Sequence, residues 1–150
     1  MNLQVASRLA IFAVLELAAN PERQLSVGEI GEKYEVSSHH LAKVMHVLGR
    51  AGLVRSARGA GGGYQFVGNT RRITLLDIIQ LFENFGARDD DGAPGATTRE
   101  GAALREVLGE IDDIARATLG SITVATLLNL VERQARQMPV PAAAHELSKA

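Results

Sequence analysis

Apolar residues recur at helical spacing from the start of the chain. Leu3, Leu9, Ala10, Phe12, Ala13, Leu15, Leu17 and Ala18 predict a first helix over about residues 3–20. Asn20-Pro21 ends it, because the residue before proline is pushed out of the helical region. Ser26 followed three residues later by Glu29 is a capping box, and it opens a short second helix with Val27, Ile30 and Tyr34 as its apolar positions. Val36-Ser37-Ser38 makes a turn. Ser37 or Ser38 then caps a third helix that runs to about Arg50, with Leu41, Val44, Met45 and Leu48 on its buried side. Ala51-Gly52 closes it.

The period then changes. Leu53–Arg58 and Tyr64–Val67 are short runs of strand-type residues, joined by a glycine-rich tip, and predict a β-hairpin. Three short helices followed by a hairpin predict a winged helix-turn-helix. In that fold the third helix enters the major groove and the hairpin lies against the DNA backbone or the minor groove. Thr74 with Asp77 opens a fourth helix over TLLDIIQLFENF. GARDDDGAPGA, residues 86–96, has the composition of a flexible loop. Thr97 with Glu100 predicts another capping box, at the start of a long helix with Leu104, Val107, Leu108, Ile111, Ile114, Ala115 and Leu119 as an apolar stripe. A last helix over residues 121–136 carries Leu127, Leu128, Leu130 and Val131.

The expected fold is mainly α, a winged helix-turn-helix DNA-binding domain with a two-stranded wing and a long C-terminal dimerisation helix. Its expected divisions are residues 1–85 for the DNA-binding domain, 86–97 for the loop, 98–137 for the dimerisation and last helices, and 138–150 for a tail.

Composition narrows the chemistry. The 150 residues contain no cysteine, which excludes a disulfide scaffold, a thiolate nucleophile and a cysteine-ligated zinc or iron–sulfur centre. No paired carboxylate–histidine arrangement can be placed in one pocket, so an enzyme is not expected. No apolar run reaches the ~18 residues of a membrane span. The first apolar stretch contains Arg8 and Glu16 and has no basic leader before it, so it reads as a helix and not as a signal peptide. A soluble cytoplasmic protein is the expectation.

The formal net charge of −1 hides an asymmetry. Residues 1–72 hold nine Lys/Arg against five Glu (+4), and residues 73–150 hold seven basic against twelve acidic residues (−5). From Val36 to Arg72 there are six Lys/Arg, three His and no Asp or Glu. That pattern fits a polyanion partner. On a 3.6-residue period His39, His40, Lys43, His46, Val47 and Arg50 fall on the open side of the third helix. His39 and His40, near its start, are candidates for base readout, and Lys43 for a guanine edge or a phosphate. His46 and Arg50 extend the same surface. Ser37 and Ser38 suit phosphate, because helix N-termini attract anions. The paired histidines also read as solvated helix-start residues. As metal ligands they are poorly placed, since adjacent helical side chains point about 100° apart.

In the hairpin tip, Arg58 stands beside Gly59, Gly61 and Gly62, a cation on a backbone slim enough to approach a sugar-phosphate closely. The tip fits neither GxGxxG nor a Walker A motif, so a nucleotide site is not expected. Arg71 and Arg72 are further phosphate candidates. Leu104, Val107, Leu108, Ile111 and Ile114 form more contiguous apolar surface than a soluble monomer normally exposes, which predicts dimerisation through the long helix.

LAKVMHVLGRAGLVRSARGAGGGYQF resembles the IscR/NsrR-type (Rrf-two) family of bacterial winged-helix regulators. Both of its hallmarks stand here: HLxKVxHxLxxxGLV as His40 to Val54, and RGxGGG as Arg58 to Gly63. The opening MNLQVASRLAIFAVLELA and the later ITLLDIIQ also match. The resemblance implies a homodimeric regulator of transcription, expected to be a repressor, that binds double-stranded DNA at a pseudo-palindromic operator. A winged-helix module that binds a protein partner instead is the alternative. Many family members hold an iron–sulfur cluster on three cysteines. Here Ala102 takes the place of the third, Ala96 falls where a second could be, and Arg8 stands where the NsrR branch has a ligating aspartate. Alanine and arginine cannot ligate iron, so no metal or other cofactor is expected.

Overall fold

The computed structural model describes residues 1–59, 61–84 and 92–138. Helix α1 (Val5–Ala19) runs through the centre of the molecule and buries Leu9, Ala10, Ile11, Ala13, Val14 and Leu17. It ends at Asn20, before the proline, as the sequence predicts. Helix α2 (Val27–Tyr34) starts at the Ser26–Glu29 capping box, with both reciprocal hydrogen bonds formed. The turn into the next helix begins earlier than expected, at Glu35, which takes a left-handed backbone with φ 55°. Val36 N–H donates to the Gly31 carbonyl, and a Cβ on Gly31 would lie 2.6 Å from the Val36 carbonyl oxygen. That close approach makes the turn tight enough to set α3 (Ser38–Arg50) across α2.

Strands β1 (Val54–Ala57) and β2 (Gly63–Phe66) pair antiparallel, with Val54 opposite Phe66 and Ala57 opposite Gly63. Leu25 adds a bridge to β2. Its N–H donates to the Tyr64 carbonyl at 3.0 Å, and Tyr64 N–H returns a bond to the Leu25 carbonyl at 2.8 Å. Any Cβ on Gly63 would sit 2.6 Å from the Leu25 carbonyl group, so only glycine lets this bridge form. The wing is thereby sewn to the segment that leads into α2.

Three boundaries differ from the sequence expectation. The fourth helix, α4 (Leu75–Ile79), has the predicted Thr74–Asp77 capping box but is one short helix followed by a turn. Only Ile78 and Ile79 of its run are fully buried, so little packing favours continuing the helix past them. Helix α5 (Arg99–Ser121) is capped by Thr98, whose Oγ1 accepts from Gly101 N–H at 3.0 Å; the expected Thr97–Glu100 box does not form. Thr98 wins because its hydroxyl also donates to the Gly95 carbonyl at 2.6 Å, which folds the preceding turn under the helix. The expected flexible loop and tail overlap residues 85–91 and 139–150, which lie outside the described residues. The last helix, expected from residue 121, begins only at Val124: α6 (Val124–Gln137) is capped by Thr123, whose side chain accepts from Thr126 N–H.

Candidate nucleic-acid interface

Helix α3 is held by a cap and a floor. Ser37 Oγ accepts from His40 N–H at 3.2 Å, so Ser37, not Ser38, is the cap, and its O–H is left to donate outward. Leu41, Val44, Met45 and Leu48 are at most 2 % exposed and form the floor. The opposite side carries His39, Lys43, His46 and Arg50, all exposed. Positions i, i+4, i+7 and i+11 at about 100° per residue fall within about 60° of one another, which makes them one stripe. His40 is exposed but lies about a quarter turn away, on the flank beside half-buried Val47. The sequence reading treated His39 and His40 alike, and the helix geometry separates them.

Arg58, Gly59 and Gly61 are exposed at the wing tip. Gly59 and Gly61 have φ of 114° and 78°, and a Cβ on Gly62 would lie 2.7 Å from the Ala57 carbonyl oxygen. These glycines are therefore demanded by the wing's own turn. Arg55, which the sequence reading passed over, projects from β1 into solvent. Its place in the acid-free stretch was the available signal.

Arg71 and Arg72 are exposed on a turn between β2 and α4. Asn69 shapes that turn: its Oδ1 accepts from Arg71 N–H and its carbonyl from Arg72 N–H, each at 3.0 Å. Two carboxylates of the winged domain are engaged with partners of their own. Glu29 accepts from the Ser26 N–H, and that bond first, the paired Arg23 guanidinium second, holds its carboxyl below the usual range. Glu16 takes bonds from Lys33 and from the Tyr34 hydroxyl between α1 and α2.

On α5 the predicted apolar stripe splits in two. Leu104, Val107, Ile111 and Ile114 are 54–67 % exposed. Leu108 and Ala115 are half-buried, and Leu119 joins the chain's own core. About 80° of helix rotation separates the centres of the two sets.

A family model described as Rrf2, iron-dependent transcriptional regulator, matches residues 3–130. The chain belongs to the Rrf2 family. Among curated Rrf2-like relatives, a protein named as an HTH-type transcriptional regulator, BadM, of Rhodopseudomonas palustris is 49% identical over 137 residues, covering 91% of this chain and 87% of that protein. The structure of CymR, the global cysteine regulator of B. subtilis, matches with a TM-score of 0.74 at 29% identity, covering 87% of this chain and 98% of CymR. IscR of T. potens matches at 0.66 and 28%, covering 93% of each chain. The winged-helix fold and membership in a family of transcriptional regulators, not enzymes, follow from these matches.

The Rrf2 description names iron, and the residues present do not fit a thiolate-held cluster. The chain has no cysteine. Ala96 and Ala102 flank the start of α5, and the gap between them is closed by the protein itself. Arg105 donates to the Ala96 carbonyl at 2.7 Å, and the Gly101 position lies so close to Gly95 that a Cβ would come within 2.2 Å of its carbonyl oxygen. Arg8 is exposed on α1. Among the described residues no three His, Asp or Glu side chains come together as a metal site.

Proposed function

We propose that this Rrf2 protein is a homodimeric, sequence-specific DNA-binding repressor that acts on a pseudo-palindromic operator in the bacterial cytoplasm and needs no iron cluster. The observation that carries the reading is the exposed stripe His39, Lys43, His46 and Arg50 on α3, fixed from behind by a buried aliphatic floor and bordered by no carboxylate of its own segment. Such a helix offers imidazole, ammonium and guanidinium donors to base edges and phosphates. Ser37 and Ser38 at the helix start, His40 on the flank, Arg58 with the slim backbone of Gly59, Gly61 and Gly62 at the wing, and Arg71 and Arg72 beyond it would hold the sugar-phosphate on either side.

Dimerisation is supported by the α5 stripe. Four aliphatic side chains more than half exposed are worth about 1.5–3 kcal/mol each when fully buried. A two-fold pairing of α5 with its copy covers both stripes, with Leu108 at the edge, and sets two α3 helices about one DNA turn, ~34 Å, apart. Repression is supported by simplicity: a dimer seated in two major grooves excludes other proteins from that DNA without a further contact surface. The absence of thiolate ligands supports binding that is indifferent to iron chelators. No described helix is long and apolar enough to cross a membrane.

Selection of bound sequences from a random duplex pool tests the reading. A motif with two-fold symmetry is expected. A single unrepeated half-site would overturn the dimer. No enrichment, together with an affinity that ignores salt, would point to a protein-binding module, because DNA binding should weaken with a log–log slope of about −0.9 per phosphate neutralised.

A further inference from the structure

The turn that carries Arg71 and Arg72 follows the wing directly, yet its backbone bonds reach further. It is anchored to the corner between α5 and α6. The first N–H groups of a helix have no partner within the helix. In α6 the first two are taken up by this turn: Val124 N–H donates to the Ile73 carbonyl at 2.9 Å and Ala125 N–H to the Thr70 carbonyl at 2.8 Å. Leu75 N–H returns a bond to the Ile122 carbonyl at 2.9 Å, and Thr74 and Thr123 form an isolated bridge. Arg71 and Arg72 thus sit on a loop held on both sides by backbone bonds to the corner that joins α6 to α5, the helix with the exposed apolar stripe.

We infer that the α5–α6 corner, through the Val124 and Ala125 amides, positions Arg71 and Arg72 for the DNA backbone, so that the grip on phosphate is set by the dimerisation unit as well as by the winged domain. The inference rests on the proposed DNA binding. Ile122 to Ala125 are positioning residues and touch no DNA. A shift of α5 against its partner would reach the arginine turn through these backbone bonds.

Ala125→Pro removes one N–H at the second position of α6, where a helix needs no internal donor. Ala125→Gly keeps the N–H and serves as its control. Thr123→Ala, which removes the cap and leaves every backbone donor, is the second variant should the proline disturb folding. The readout is affinity for a mixed-sequence duplex as salt is varied, with sedimentation to verify that each variant keeps its assembly. R71A/R72A should lower the salt slope by about two. A125P should lower it by about one to two, T123A by less, and A125G not at all. Added to R71A/R72A, A125P should cost less than about twofold further, because the two act through one contact. Fully additive losses, or an A125P effect with an unchanged slope, would overturn the coupling. An unchanged slope in R71A/R72A would also overturn it, at its premise. Failure of the DNA reading itself shows separately, as a wild-type protein with no salt-dependent binding.

Discussion

The segment from α1 to α4 and the segment from α5 to α6 treat their aliphatic side chains in opposite ways. Every hydrophobic residue of the buried core except Leu119 and Val124 lies between Leu9 and Ile79. In α5 and α6, by contrast, Leu104, Val107, Ile111, Ile114, Leu130, Val131 and Met138 are 41–71 % exposed. The winged domain completes its core within one chain. The α5–α6 segment buries Leu119 and Val124 in that core, packs Leu127 and Leu128 against it, and leaves these seven side chains exposed. An element that is finished alone can be read by its period, whereas one that is finished by a partner shows the same period and a different burial.

The largest effect expected from this difference is on assembly. Ile111→Asp places a charge in the middle of the exposed stripe, where a two-fold interface would desolvate it against its own copy. The dimer should split and DNA binding should fall with it, while the winged domain stays folded. Sedimentation and duplex binding measure both. A wild type running at 16.0 kDa at micromolar concentration, or a monomeric mutant with full affinity, would sink the dimer.

Truncation of a core residue sharpens the contrast. Leu48, fully buried under α3, should cost about 2–5 kcal/mol as Leu48→Ala. That loss should be the same at every protein concentration. Ile114→Ala, at 67 % exposure, should lower apparent stability by an amount that depends on concentration, because its cost appears only where the partner covers it. Denaturant melts at two widely separated concentrations separate the cases. A concentration-dependent L48A loss or a concentration-independent I114A loss would erase the distinction between the halves.

Within the winged domain the predicted effects are smaller and lie in binding. Arg58→Ala should weaken binding to all duplexes alike and reduce the salt slope by about one. His39→Ala, on the centre of the α3 stripe, should relax preference at particular operator positions, and His40→Ala, on the flank, should do so less. Equal effects from the two histidines would mean that α3 lies in the groove on a different face from the one its burial indicates.

The winged domain was largely legible in the sequence because its signals are local. Ser26–Glu29 and Thr74–Asp77 act within one helical turn, and the floor of α3 follows from its 3.6-residue period. What escaped was set by close approach of backbone groups that no residue pattern announces. Glu35 takes a left-handed conformation that no glutamate advertises, because Gly31 lets Val36 come close. The cap of α5 falls on Thr98 because the Gly95 carbonyl lies beneath it. The split of the α5 stripe depends on which side faces the winged domain, a tertiary fact that periodicity cannot contain. The arginine turn looked like a coda to the wing, and its bonds to α6 link residues more than fifty positions apart.

The smallest expected effect lies in the clasp between α1 and α2. Partial burial raises the Glu16 carboxyl, but hydrogen bonds from Lys33 and Tyr34 and the Lys33 charge outweigh it and leave it below the usual carboxylate range. A carboxyl lowered by folding contributes stability above its ordinary value and loses it as pH falls through the lowered one. Tyr34 moves the other way: burial first, and the Glu16 carboxylate second, push its hydroxyl up. Its contribution is complete below the ordinary tyrosine value and is lost only as pH rises beyond it. The clasp should therefore work across the neutral range and fail at both ends. Lys33 is well exposed, so Glu16→Gln should cost only about 0.2–1 kcal/mol at neutral pH. The gap between wild type and E16Q should close as pH falls from the ordinary carboxylate value through the lowered one, where Glu16 takes up its proton. The clasp belongs wholly to the half of the molecule that finishes its own core, so the gap should not change with protein concentration. A gap that stays constant from neutral pH into acid would show that Glu16 holds α2 through packing and not through its charge.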